Sequence, residues 1–184
     1  AIDISGGAGA AKRIRSQVTA ARHFIERVRP RMNSTHVAIV TSPNVRPRPG
    51  EHTGAHTEVH LTDDSRAADA ALSAIERRGG AGTPNFASGF AFALDQLQNI
   101  QLDGSGARPN ARKILLITAD GKDSMPFGAD ADQTASARAQ VLSLAHRARD
   151  SGVAIHIYAL GGIAAESSTL IEEMLRENRG SFVQ

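Results

Sequence analysis

The chain of 184 residues contains no cysteine and no tryptophan. Disulfides, thiolate metal sites and cysteine nucleophiles are therefore excluded. Aromatic residues make up only 4%, so a core must be built from Ile, Leu, Val, Ala and a few Phe. No stretch approaches the roughly 18 apolar residues of a membrane span, and no signal-peptide pattern is present. Internal repeats and low-complexity linkers are also absent. An excess of one charge is missing too: 21 basic residues face 19 acidic ones, for a net +2. That balance lacks the concentrated basic stripe of a nucleic-acid binder. The basic residues Lys12, Arg13, Arg15, Arg22, Arg27 and Arg29 read as the solvated face of a helix.

What is present suits one globular α/β domain over residues 1–184. Hydrophobic residues make up 41% and charged residues 22%, enough apolar mass for one core. The opening Ala1-Ile2-Asp3 resembles the end of a strand, so the chain reads as an excerpt of a longer protein. The composition, rich in Ala and Arg and poor in Lys, suits a bacterium with a GC-rich genome. Compartment is not readable; as part of a larger protein the chain is assigned to an extracytoplasmic or cell-surface setting.

Apolar periodicity alternates between about two and 3.6 residues, which predicts strands spaced by helices. Strands are expected at Ala1 to Ile4, His36 to Thr41, Thr57 to Leu61, Lys113 to Thr118, Val153 to Leu160 and Ser181 to Val183. The runs at 113–118 and 153–160 read as strands buried on both faces. A long helix carries Ile14, Val18, Ala21, Ile25 and Val28 on one side and stops at Pro30. Asp63-Asp64-Ser65 supplies a cap for a helix to Arg78. Phe86 to Leu97, Thr134 to Asp150 and Leu170 to Glu177 are further helices. This order predicts a three-layer sandwich: a doubly wound, mostly parallel six-stranded sheet with one antiparallel edge strand and helices on both faces.

Ligands of such sheets bind beyond the carboxyl ends of the strands. Three segments fall there: Asp3-Ile4-Ser5-Gly6-Gly7, Gly82-Thr83-Pro84-Asn85 and Thr118-Ala119-Asp120-Gly121. Together they offer two carboxylates and two hydroxyls, the hard oxygen donors that suit Mg²⁺. Each has a simpler reading. Asp3 and Ser5 suit caps of the following helix, and Thr83 before Pro84 suits an N-cap. Asp120-Gly121 suits a tight turn. His52, His56 and His60 are incidental residues of an exposed segment, and His156 is a hydrogen-bonded core residue of a buried strand. Gly6-Gly7-Ala8-Gly9 lacks the Lys-Ser/Thr ending of a phosphate loop. Ser5 lacks the Gly-x-Ser-x-Gly elbow of a nucleophile.

The ordered set resembles the metal ion-dependent adhesion site of von Willebrand factor A-type (vWA) and integrin I-like domains. In that family the first loop reads Asp-x-Ser-x-Ser, a second loop gives a Thr and a third gives an Asp. The resemblance covers essentially the whole chain, with Ile-Thr-Ala-Asp-Gly and Gly-Val-Ala-Ile-His-Ile-Tyr-Ala-Leu-Gly in family order. It implies that Asp3, Ser5, Thr83 and Asp120 hold Mg²⁺ (or Mn²⁺ or Ca²⁺). Gly7 stands where the family has its second Ser, which implies weaker affinity. The implied function is non-catalytic binding of a protein ligand, in adhesion or assembly, with an acidic side chain completing the metal shell. The loops Val45 to Gly54 and Lys122 to Asp132 would form the rim. Two alternatives stay open: a module partnering an AAA+ motor, as in chelatase-type subunits, and a structural vWA domain with a vestigial metal site.

Overall fold

In the interior of the sheet, hydrogen-bonded to a neighbour on each side, lies its shortest described strand. β1 (Ile2–Asp3) pairs in parallel with β2 (Val37–Ser42), Ile2 opposite Thr41 and Asp3 opposite Ser42. On its other side Ile2 lies opposite Thr118 of β4 (Lys113–Ala119). The computed structural model describes residues 1–6, 9–43, 49, 54–82, 85–99, 106–119, 131–159, 165–176, 178 and 180–183. The sheet runs β3-β2-β1-β4-β5-β6, with β3 (His56–Thr62), β5 (Val153–Ala159) and β6 (Ser181–Val183). Among the described strands only β3 is antiparallel, and it forms one edge; β6 pairs in parallel with β5 and forms the other.

The helices are α1 (Ala10–Val28), α2 (Ser65–Arg78), α3 (Phe86–Gln98), α4 (Ala131–Asp150) and α5 (Ala165–Leu175). Their ends follow local chemistry. Asp64 caps α2 by accepting from the Arg66 N–H at 2.8 Å, as the sequence predicts. Pro30 lies beyond α1, in a tighter 3-10 turn over Arg29–Ser34. α4 begins three residues earlier than its periodicity suggests, and α5 spans Ala165–Leu175 rather than Leu170 to Glu177.

Two apolar clusters sandwich the sheet. On one face α1 and α2 bury Ile14, Val18, Ile25, Leu72 and Ile75 against Ile2, Ile4 and Ile39. On the other, α3, α4 and α5 bury Phe90, Leu94, Val141, Ile171 and Met174 against Leu115, Ile117, Ile155 and Ile157. The two apolar strands expected to be buried on both sides are fully buried only toward the second cluster. Ile114 and Tyr158, on their other face, are 39% and 42% exposed. The reason is the seat of α1, which packs beside α2 over β1 and leaves the outer strands partly open on that side. His156 shares that side. It is half-buried, not in the core, with Nδ1 2.8 Å from the Ser181 hydroxyl.

One charge pair is built into the β3 edge. The register slips between the pairs Ile39–Val59 and Val40–Thr57, which leaves Glu58 as an extra, bulged residue. Its carboxylate accepts from the Thr41 hydroxyl at 2.6 Å and from Arg78 Nη1 at 3.2 Å, while Arg78 Nη2 donates to Oε1. The Glu58 side chain is 7% exposed and Arg78 20%. Removing one partner strands the other charge away from water. Glu58→Ala is expected to cost about 3 kcal/mol in urea unfolding. The double variant Glu58→Met/Arg78→Met is expected to recover most of that loss, because it leaves no unpaired charge.

Candidate functional site

The backbone at the carboxyl end of β1 is held on three sides. Ile4 N–H donates to Ser42 C=O at 2.7 Å, and Thr118 N–H donates to Ala1 C=O at 3.0 Å. The third contact comes from a side chain that the sequence reading passed over. Gln17 of α1 is 1% exposed. Its Oε1 accepts from Asp3 N–H at 3.0 Å, and its Nε2 donates to Asp3 C=O at 2.9 Å. The same Oε1 accepts the Thr118 hydroxyl at 2.7 Å. The signal for Gln17 was its place one residue before Val18, inside the apolar stripe of an otherwise amphipathic helix.

Beyond Asp3 the loop turns back on itself. Asp3 Oδ1 accepts from Ser5 N–H at 2.9 Å, and Ser5 is buried at 4% exposure. This is a turn stabilised by an acidic side chain two residues upstream. It brings a carboxylate and a hydroxyl residue to one strand end. Neither residue caps α1. The N-cap is Gly9, in the left-handed region at φ +82° with no side-chain cap bond, a conformation that suits glycine. The simpler reading of Asp3 and Ser5 as helix caps is therefore excluded by the position of the cap.

The segment that leads into Thr83 meets this loop directly. Gly6 N–H donates to Gly82 C=O at 3.1 Å. Behind it, Gly80 lies against the Ile4 carbonyl: a Cβ at Gly80 would fall 2.3 Å from Ile4 O and 2.6 Å from Ile14 Cδ1. The cap of α3 is Asn85, whose side chain accepts from Ser88 N–H at 3.0 Å. The cap that the sequence places at Thr83 is thus supplied by Asn85. Ser42, buried at the end of β2, places its hydroxyl 3.0 Å from Gly54 C=O and 2.5 Å from Asn85 C=O. That contact fixes the start of α3 against the same sheet edge.

The structure brings Asp3 and Ser5 together. Thr83 and Asp120, with Gly7 and nearly all of both rim loops, lie outside the described residues. Of the second rim loop, residues 131 and 132 belong to α4. The residues that precede Thr83 and Asp120 in the chain are described. Gly82 is bonded to the first loop, and Ala119 ends β4 beside Ala159 of β5. The chemistry of the described donors, one carboxylate and one hydroxyl on a tight turn, fits a hard divalent cation. Among the described residues there is no cluster of three or more His, Asp or Glu side chains suited to a metal. His56 and His60 both lie on β3, where His60 Nδ1 is 3.1 Å from Gln96 Oε1. No described helix is long and apolar enough to cross a membrane.

The family model of the von Willebrand factor type A domain matches residues 1–183. The chain belongs to that family. Its fold is that of solved vWA structures. The crystal structure of the SpRpn10 VWA domain is similar with a TM-score of 0.65 and 15% identity, over 99% of this chain and 84% of that one. The crystal structure of the TFIIH p34 N-terminal domain is similar with a TM-score of 0.52 and 20% identity, over 100% of this chain and 88% of that one. At such identities the likeness concerns the fold. No curated protein matches the chain in sequence.

The contact of Gly80 with Ile4 makes a direct prediction for this vWA domain. Gly80→Ala is expected to push the first loop off the β1 end and to destabilise by about 1–3 kcal/mol. Denaturant unfolding together with the backbone amide shifts of Ser5 and Gly6 would report it. Unchanged shifts at both amides would contradict the packing described.

Proposed function

We propose that this vWA domain binds a protein ligand, without catalysis, at the carboxyl edge of its sheet through a divalent cation held by Asp3, Ser5, Thr83 and Asp120. One observation carries the reading: Asp3 and Ser5 sit on a turn whose next residue, Gly6, is hydrogen-bonded to Gly82, the residue before Thr83. The hydroxyl and carboxylate types match the oxygen preference of Mg²⁺ or Mn²⁺. A cation bound there would offer an open coordination position to a carboxylate of the ligand. The protein residues set that position. Asp3 is oriented by its turn, Ser5 is buried beside it, and Thr83 and Asp120 follow directly from a bonded loop and a paired strand.

Gly7 favours a second reading, in which the site is vestigial and the domain structural, because one hydroxyl donor of the family motif is absent. Calorimetric titration with Mg²⁺ and Mn²⁺ separates the two. The first reading expects saturable binding that is lost in Asp120→Ala and in Asp3→Ala. A thermal midpoint that rises with metal concentration in the native chain and not in these variants is expected as well. Heat-silent titrations at millimolar metal, with no shift of the midpoint, would favour the structural domain.

A further inference from the structure

We infer that Gln17 is the positioning residue of this strand-end site: its buried amide locks the Asp3 turn to the exit of β4, and cation affinity depends on that lock. The inference rests on the proposed metal reading and assigns a role to a residue outside the donor set.

Gln17 occupies a position where packing alone calls for an apolar side chain. It lies between Ile14 and Val18, 2% and 0% exposed, on the face of α1 that meets the sheet. A buried amide with unsatisfied groups is costly. Here both lone pairs of Oε1 are used, one by Asp3 N–H and one by the Thr118 hydroxyl, and Nε2 serves Asp3 C=O. Both peptide groups of a single donor residue are therefore read by one side chain. The partner on the other strand, Thr118, is 4% exposed and stands two residues before Asp120 in the chain. One planar amide thus ties the first and third motif segments together. Residues that orient the ligands of a metal from behind typically change affinity by about 10–100-fold when removed.

The test compares Gln17→Met, which keeps the volume and removes the hydrogen bonds, with Val18→Ala, which weakens the same helix–sheet packing and removes no hydrogen bond to Asp3. Mn²⁺ affinity is measured by calorimetry, and the Asp3 and Thr118 amide shifts are recorded without metal. Gln17→Met is expected to fold, to move both amides and to lose about tenfold or more in Mn²⁺ affinity. Val18→Ala, destabilised by cavity formation, is expected to keep its affinity within about twofold. Thr118→Val is expected to weaken Mn²⁺ binding and Thr118→Ser to restore it. The double variant Gln17→Met/Thr118→Val is expected to be no weaker than Gln17→Met alone, the mark of coupled residues. Native affinity in Gln17→Met, or an equal loss in Val18→Ala, would overturn the role. A native chain that binds no Mn²⁺ defeats the metal reading itself. The lock is then judged on stability, where additive losses of Gln17→Met and Thr118→Val overturn it and coupled losses with displaced Asp3 amide uphold it.

Discussion

Asp3 presents its N–H and C=O to the side-chain amide of Gln17, and this pair of hydrogen bonds fixes where the first loop leaves the sheet. β1 comprises only Ile2 and Asp3, yet it sits between β2 and β4 at the middle of six strands. So short a strand has few ladder bonds of its own. Gln17 adds two from α1, and through Thr118 it ties the same point to β4. The remaining edge elements close onto that point in turn. Gly80 packs on Ile4, Gly82 accepts from Gly6, and Ser42 holds the start of α3.

The two faces of the sheet are unequal. The α3–α4–α5 side buries Leu115, Ile117, Ile155 and Ile157 to 4% exposure or less. The α1–α2 side covers β1 and β2 well but leaves Ile114 and Tyr158 partly exposed. α1 is drawn toward α2 by more than apolar packing. Arg22 donates to Glu76 at 2.9 Å and Arg29 to Asp69 at 2.8 Å. Exposed pairs of this kind contribute little to stability, but they give Arg22 of α1 and Arg29 just beyond it acidic partners on α2.

Much of this was legible in the sequence because local chemistry and tertiary packing agree. Asp64 before Ser65 reads as a cap and is one, and Gly152 ends α4 as its φ of +68° requires. The strand order follows from alternation of elements and the handedness of crossovers. Other features depend on contacts distant in the chain. Ile114 and Leu116 make the run of β4 look buried on both sides, and only the seat of α1 decides otherwise. The Glu58 bulge answers to Arg78 twenty residues later. Thr83 before Pro84 reads as a cap in the sequence, whereas α3 is capped by Asn85. Of the four donors read from the sequence, Asp3 and Ser5 are seen together; Gln17, which orients one of them, has no motif to announce it.

The proposed divalent cation lies at the end of β1, beside the turn that Gln17 steadies. Anomalous diffraction from a crystal of the protein grown with Mn²⁺ tests it most directly. A manganese peak is expected at the carboxyl edge of the sheet, in direct coordination with the Ser5 hydroxyl and within reach of Asp3 and Asp120. A fully ordered edge with no anomalous peak, or a peak held only by residues elsewhere on the surface, would contradict it.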